Sequence, residues 1–137
     1  MHRQFFKIAA FFAALSVIIG AFGAHLLKDL ISPQELSNIQ TGATYQMTHS
    51  LAIFIVGMMY RHYATKKVIL SGYFFLVGII LFSGSLYLRV ILHYWGFEKS
   101  NFVVFFTPLG GASFILGWLT LMFAIPRKHG TKEETEK

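Results

Sequence analysis

Four long apolar segments divide this chain, and only short polar segments separate them. They cover residues 5–24, 43–60, 68–92 and 102–125. A helix rises about 1.5 Å per residue, so roughly 20 residues cross the ~30 Å hydrocarbon layer of a bilayer. The first segment is longer than the ~7–15-residue apolar region of a signal peptide, so we expect it to remain as a span. The sequence therefore predicts an all-α integral membrane protein with a bundle of four transmembrane helices.

The composition indicates the same class. The chain is 55% apolar, 17% aromatic and only 13% charged, with a mean hydropathy of +0.57. These values are too apolar for a soluble domain of 137 residues. We expect residues 1–130 to form a single membrane domain. Residues 131–137 carry charges and no apolar side chain, which predicts a charged, disordered tail.

The basic residues indicate an orientation. Lys and Arg are in excess before the first span, in the loop 61–67 and after the fourth span, whereas acidic residues partly offset them on the other side. Because an excess of Lys and Arg marks the cytoplasmic side, both termini are predicted to be cytoplasmic. The net charge of +6 lies in short clusters beside apolar segments, so we expect no nucleic-acid partner.

Two prolines mark helix boundaries. Ser32, Pro33 and Glu35 have the spacing of a capping box with proline at the first helical position, which predicts a helix that starts at Ser32. This helix in the first outer loop either lies along the membrane interface or extends, with a bend at Gly42, into the second span. Similarly, Pro108 either bends the fourth helix or begins it.

Polar side chains gather in the outer half of each predicted span, and polar groups at membrane depth need partners or a wet cavity. Gln46, His49 and Ser50 share one helical face, which should point into the bundle. The inner halves are almost purely apolar, unlike a channel with polar lining across the bilayer. The pattern predicts an outward-facing polar pocket. Its candidate residues are His25, Tyr45, Gln46, His49, Ser50, Ser85, Arg89 and Thr107.

Each candidate also has a purely structural explanation. His49 either makes hydrogen bonds inside the bundle or takes part in ligand or proton chemistry. Arg89 either reaches toward lipid phosphates from the end of its helix or holds an anionic headgroup. Tyr45 and Tyr87 fit the aromatic belt at the membrane interface. His25 and His49 alone supply too few ligands for a metal site, so we predict no metal and no cofactor.

Small residues recur at helical spacing in two spans, which favours close helix packing and leaves room for self-association. The two stripes are Ala9, Ala13, Ser16, Gly20 and Ala24, and Gly110, Ser113, Gly117 and Thr120.

Sequence patterns of known catalytic sites are missing. The chain has no G-x-S-x-G, HExxH, Walker or dinucleotide-binding motif. All six acidic residues lie outside the apolar segments, so no membrane-embedded carboxylate is available for proton coupling. We therefore expect a protein that is not an enzyme.

Several separated motifs resemble a known family. They are Gly20-Ala21-Phe22-Gly23-Ala24-His25, Thr41-Gly42 with Tyr45-Gln46-Met47-Thr48-His49-Ser50-Leu51-Ala52, Phe82-Ser83-Gly84-Ser85-Leu86-Tyr87-Leu88, and Thr107-Pro108-Leu109-Gly110-Gly111. The chain resembles, in this order of motifs, the small four-span membrane proteins known as domain of unknown function 423. The resemblance implies a protein of the bacterial cytoplasmic membrane. It implies no activity, substrate or catalytic residue.

These observations lead to three hypotheses. The first is a non-enzymatic structural or accessory protein whose outer pocket binds a membrane lipid headgroup or a partner helix, from another membrane protein or a second copy. The second is a small transporter or channel component with an outward vestibule lined by His25, His49 and Arg89. The third is a membrane enzyme or redox protein that uses the histidines.

Overall fold

The computed structural model describes residues 2–97, 103 and 105–125, and within these ranges the chain forms helices and no strand. Helix α1 (His2–Phe22) continues directly into a short π-helical segment, Gly23–Leu27. Helix α2 (Pro33–His62) is 30 residues long. The prediction of an all-α protein is confirmed for this part of the chain.

The second half of the chain contains a long composite helix and a shorter one. Helix α3 (Lys66–Gly78) passes through a π-helical turn, Ile79–Ser83, into helix α4 (Gly84–Tyr94). Helix α5 (Phe106–Met122) follows. Val103 is also helical. The predicted tail, residues 131–137, lies outside the described residues.

Two of these helices are long and apolar enough to cross a membrane. They are Arg3–Leu27, with 25 residues, and Lys66–Tyr94, with 29 residues. Helix α5 is also apolar but has 17 residues, about 25 Å of helix. Helix α2 is long but carries many polar residues in its first half. These lengths are consistent with insertion into a bilayer.

The capping box at the start of α2 forms as the sequence predicts. The Ser32 hydroxyl accepts the Glu35 backbone N–H at 3.3 Å, and the Glu35 carboxylate accepts the Ser32 backbone N–H at 2.8 Å. Pro33 occupies the first helical position, where no backbone donor is needed. From there α2 runs without interruption through Gly42. The continuous alternative is therefore the right one, and the helix begins well before residue 43.

The proline of the fourth segment begins its helix. Pro108 is the third residue of α5, where a missing backbone N–H leaves no hydrogen bond unmade. Within the described residues, Pro108 therefore lies in the first turn of α5, the position that the second alternative gives it. Helix α5 ends at Met122, before the end of the predicted span 102–125.

The helices pack side by side, with α1 against α2 and α3 against α5. The end of the molecule where α1 ends, α2 begins, α4 ends and α5 begins is termed here the Glu35 end, and the opposite end the Phe5 end. Near the Phe5 end the core is mostly apolar, and the buried Ser71 hydroxyl there donates to the Val68 carbonyl of its own helix. The buried apolar members of this core are Phe5, Ala9, Ala52, Ile53, Val56, Val68, Phe75, Ile79, Phe114, Leu121 and Ala124.

The small-residue stripes are used inside the chain. Gly110 lies so close to the π-helical turn that a Cβ there would stand 2.8 Å from the Phe82 Cα. The Ser113 hydroxyl donates to the Phe74 carbonyl at 2.7 Å, which joins α5 to α3. On α1, Ala9 and Ser16 are buried. Because neighbouring helices already cover most of both stripes, they offer little surface to a second copy.

Candidate functional site: polar groups at the Glu35 end

Gln46 is the most connected of the predicted site residues. Its side chain is buried. The amide nitrogen donates to the Phe12 carbonyl of α1 at 2.8 Å, and the amide oxygen accepts from the Tyr87 hydroxyl of α4 at 3.1 Å. One side chain on α2 thus holds two other helices.

A second bond between α2 and the composite helix lies beside it. The Ser83 hydroxyl donates to the Gly42 carbonyl at 2.8 Å. A Cβ at position 42 would stand 2.6 Å from the Tyr87 ring, so this close approach requires glycine. Together Phe12, Gly42, Gln46, Ser83 and Tyr87 form what we term the polar seam.

His49 is held by two different hydrogen bonds. A carbonyl can only accept, so the Nδ1–H must donate to the Tyr45 carbonyl at 2.8 Å. The bare Nε2 then accepts the Trp118 indole N–H at 3.4 Å. The ring also stacks on Phe114, with centroids 3.5 Å apart and planes 9° from parallel. These contacts fit a neutral imidazole with both nitrogens occupied.

The buried polar side chains of α2 therefore find their hydrogen-bond partners within the protein. The Ser50 hydroxyl donates to the Gln46 carbonyl one turn earlier at 2.6 Å. Among the described residues, no buried side-chain nitrogen or oxygen lacks a hydrogen-bond partner. Gln46, His49 and Ser50 point into the bundle, but none of them lines either of the two cavities described below. The structure does not place them in one open pocket with Arg89.

Three other predicted residues do meet around a cavity. Ser85, Arg89 and Thr107 line a cleft of about 340 Å³ between α4 and α5, termed the α4–α5 cleft. The Ser85 hydroxyl donates to the Phe82 carbonyl at 2.8 Å and lies 2.7 Å from the Thr107 hydroxyl. Thr107 is then the donor of that pair.

Arg89 differs from every polar residue of the seam. It is partly buried on the wall of the cleft. In the described part of the chain it has neither an ion pair nor a hydrogen bond. A guanidinium carries five donors and remains charged, so this one is available to an anion.

The last two predicted residues are more exposed. His25 is exposed on the π-helical segment after α1 and does not join His49. Tyr45 is 43% exposed, and its ring stacks on Phe82 with centroids 4.5 Å apart and on His49 with centroids 5.9 Å apart. The predicted residues thus divide into a group bonded inside the protein, a cleft group, Tyr45 at the edge of the first group, and His25 on its own.

Two partners in this region were not predicted from the sequence. Tyr87 is not simply a belt aromatic, because its hydroxyl reaches Gln46 inside the bundle. Ser83 binds Gly42 in the same way. The matching four-residue spacings, Gly42 to Gln46 and Ser83 to Tyr87, are the signal that would have indicated two facing helix surfaces.

An ion pair also joins α2 to α4 at this end. His93 Nδ1 lies 2.6 Å from a Glu35 carboxylate oxygen. The hydrogen bond from the Ser32 hydroxyl, with smaller contributions from the Ser32 backbone N–H and from His93, lowers the pKa of Glu35 below its ordinary value of 4.5 despite some desolvation. The carboxylate is therefore ionised at neutral pH and fixes the first turn of α2 to the end of α4.

The residues that the structure describes offer no candidate metal site. They contain no group of three or more His, Cys, Asp or Glu side chains that could hold a metal ion. His49, the histidine inside the bundle, has no free ring nitrogen. In the α4–α5 cleft, the described residues place the Arg89 guanidinium, which has no ion pair, beside the Ser85 and Thr107 hydroxyls.

Comparison with known proteins supplies the family. A family described as Protein of unknown function (DUF423) matches residues 19–111. This chain belongs to that family. The resemblance seen in the motifs is confirmed.

Curated relatives cover almost the whole chain. A UPF0382 membrane protein of Haemophilus influenzae is 37% identical over 90% of this chain and 94% of its own length. The UPF0382 membrane protein YwdK of Bacillus subtilis is 35% identical over 89% and 95%. The UPF0382 inner membrane protein YgdD of Escherichia coli is 38% identical over 81% and 83%. No solved structure matches. The predicted location in a bacterial cell membrane is confirmed.

Proposed function

We propose that this protein is a non-enzymatic accessory protein of the bacterial cytoplasmic membrane whose α4–α5 cleft binds the phosphate of a lipid headgroup. The observation that carries the proposal is the partly buried Arg89 in a cleft, without an anionic partner among the described residues. The protein belongs to a membrane family, so phosphate groups of lipids are the most abundant anions near such a side chain.

The chemistry of the cleft suits a phosphate. A guanidinium can give two parallel hydrogen bonds to phosphate oxygens, and charge-assisted bonds of this kind are about twice as strong as neutral ones. The Ser85 and Thr107 hydroxyls line the same cleft as Arg89 and can rotate toward a bound phosphate oxygen. The remaining lining, with Phe82, Leu86 and Pro108, is apolar and suits the glycerol and upper acyl region of a lipid.

The proposal includes an orientation in the membrane. Four helical segments cross the bilayer: α1, α2, the composite helix of α3 and α4, and α5. Both termini are cytoplasmic and the Glu35 end faces outward, as the distribution of Lys and Arg predicts. The chain has no cysteine, so single-cysteine variants give an unambiguous test. An impermeant maleimide should label Gln34→Cys in intact cells and Ala64→Cys only after permeabilisation. The reverse labelling would contradict the orientation.

Binding is tested by native mass spectrometry from mild detergent, with defined mixtures of phosphatidylglycerol and phosphatidylcholine. Arg89→Gln should reduce retained phosphatidylglycerol by about tenfold or more, because charge-assisted hydrogen bonds contribute about 1.5–3 kcal/mol. Arg89→Lys should retain part of the binding, since it keeps the charge but loses the two-pronged geometry. The matched control is Arg61→Gln, on the exposed far end of α2. If Arg89→Gln and Arg61→Gln retain equal amounts of phosphatidylglycerol, the proposal is wrong.

The transporter hypothesis lacks comparable support. Both ring nitrogens of His49 are engaged, and His25 is exposed on another surface. The core near the Phe5 end is mostly apolar, whereas a path for a polar solute needs polar lining across the bilayer. We therefore expect liposomes containing only this protein to show no solute flux that His49→Ala removes.

A further inference from the structure

A second and larger cavity lies on the opposite side of α4. It is a groove of about 680 Å³ between the end of α1, the turn that follows it, the start of α2 and α4. Its walls include Leu27 and Leu30 from the first connection, Ile39 from α2, and Ile91 and Trp95 from the end of α4. We term it the α1–α4 groove. The Arg89 cleft opens on a different face of α4 and shares no lining residue with it.

The walls of the groove are almost entirely hydrocarbon. Leu30 and Trp95 are 63% and 68% exposed. The only polar atoms that these side chains could offer belong to aromatic residues, and the Tyr87 hydroxyl is already bonded to Gln46. A polar solute would lose its hydration here without gaining hydrogen bonds, which is unfavourable. An apolar ligand is therefore the chemical class that fits.

The dimensions favour a narrow chain over a protein helix. From Ile19 to Leu27 on one wall the groove runs about 12 Å at 1.5 Å per residue. A helix is about 10 Å across and rises 5.4 Å per turn, so two turns alone would occupy roughly 800 Å³. The groove could take one face of a helix but could not enclose two turns of one. Its volume lies instead within the range of about 300–1,000 Å³ that is typical of small-ligand sites.

A cation, Lys28, lies in the chain segment that forms one wall of the groove, next to the exposed Asp29. Lys28 follows Leu27 directly and is exposed, and among the described residues it has no ion pair. Tyr94 and Trp95 lie at the end of α4, where aromatic residues favour the boundary between headgroups and acyl chains. Apolar walls, interfacial aromatics and an adjacent ammonium together match an acyl chain with a phosphate above it.

We infer that the α1–α4 groove binds one acyl chain of a membrane phospholipid, with the phosphate of that lipid beside Lys28. This site goes beyond the headgroup site at Arg89, from which α4 separates it. The Glu35–His93 ion pair, one helical turn from Ile39, fixes α2 to α4 and holds the two walls of the groove together.

The experiment uses tryptophan fluorescence, because the chain has only two tryptophans. In the Trp118→Phe protein, Trp95 is the single reporter. The protein is placed in phosphatidylcholine bilayers with increasing fractions of phosphatidylglycerol that carries brominated acyl chains, which quench fluorescence on contact. We expect half-quenching of Trp95 at a fraction about tenfold below that of the Trp95→Phe protein, in which Trp118 reports on bulk lipid.

Four variants in the same background locate the binding. Ile91→Phe fills the groove and should return Trp95 quenching to the bulk value, whereas Ile80→Phe, an exposed control on the same composite helix, should not. Lys28→Gln should weaken the excess quenching by about tenfold. Arg89→Gln should leave it unchanged, so this inference and the headgroup proposal can fail separately.

Each remaining outcome counts against the inference. If Trp95 is quenched no more readily than Trp118, or if Ile91→Phe has no effect, the groove is not an acyl-chain site. If Trp95 is shielded from brominated lipid and native mass spectrometry gives a dimer or a bound protein, a second copy or a partner covers the groove instead. If Lys28→Gln changes nothing, the phosphate does not lie at Lys28.

Discussion

The polar seam and the α4–α5 cleft both use polar side chains of the composite helix formed by α3, the π-helical turn and α4, but the hydrogen-bonding capacity of the two regions is satisfied differently. In the seam, Gln46 binds a backbone carbonyl of one helix and a tyrosine hydroxyl of another. In the cleft, Arg89 has no such partner among the described residues. The comparison indicates that a polar residue in a membrane helix becomes a binding candidate when the protein itself leaves it unsatisfied.

The energies support this distinction. Hydrogen bonds between membrane helices contribute about 0.6–2 kcal/mol each, and a buried group left without its partner costs about 1–3 kcal/mol. Changes in the seam should therefore reduce stability, whereas a change at Arg89 should reduce ligand binding.

Replacement of Gln46 by leucine should have the largest effect on stability. The change removes two bonds between helices and leaves the partly buried Tyr87 hydroxyl without its acceptor. We expect the free energy of unfolding in detergent to fall by about 2–3 kcal/mol. Gln34→Leu is the control, because Gln34 is exposed and bonds only to Asn38 on its own helix. Equal stability of the two variants would show that the seam does not hold the helices.

A methyl group at position 110 should have a somewhat smaller effect. It would press against the backbone of Phe82, which cannot move aside as a side-chain end can. We expect Gly110→Ala to lower the free energy of unfolding by about 1–2 kcal/mol, the usual cost of overpacking. The neighbouring Gly111→Ala is the matched control, since a Cβ there meets nothing within 4 Å. Denaturation curves that order the two variants the other way would contradict the packing.

Much of this arrangement could be predicted from the sequence. The capping box at Ser32, the burial of Gln46 and the small-residue stripes all depend on spacing along one helix, which the sequence contains. Which helix each stripe meets depends on pairing between distant segments. The sequence alone therefore did not show whether His49 lines an open pocket or makes all its hydrogen bonds inside the protein.

The starts of α2 and α5 illustrate the same limit. Both Pro33 and Pro108 indicate a helix start, but hydropathy placed the predicted spans at residues 43 and 102. The structure begins α2 at Pro33, because the capping box determines where a helix can begin even in polar sequence. The Glu35–His93 pair joins residues 58 apart in the chain, so no local pattern could have indicated it.

Acid should have the smallest effect. The pKa of folded Glu35 is lowered, so its contribution to stability is complete above its ordinary value of 4.5 and is lost as the pH falls below that value. Ser32 and His93 are the groups that face the carboxylate. On acidification below pH 4.5, the wild-type melting temperature should fall by up to about 4 °C more than that of Glu35→Gln. Parallel acid profiles for the two proteins would show that the ionised Glu35 carboxylate contributes nothing to stability.

The most direct test compares one variant of the cleft and one variant of the seam in two measurements, stability and lipid retention. Arg89→Gln and Gln46→Leu are compared with the wild type for unfolding free energy in detergent and for phosphatidylglycerol retained in native mass spectra. We expect Arg89→Gln to lose about tenfold in retained lipid with a stability change below about 0.5 kcal/mol, and Gln46→Leu to lose stability while its folded fraction retains lipid normally. The opposite assignment of effects, or the same loss in both variants, would contradict the division between seam and cleft.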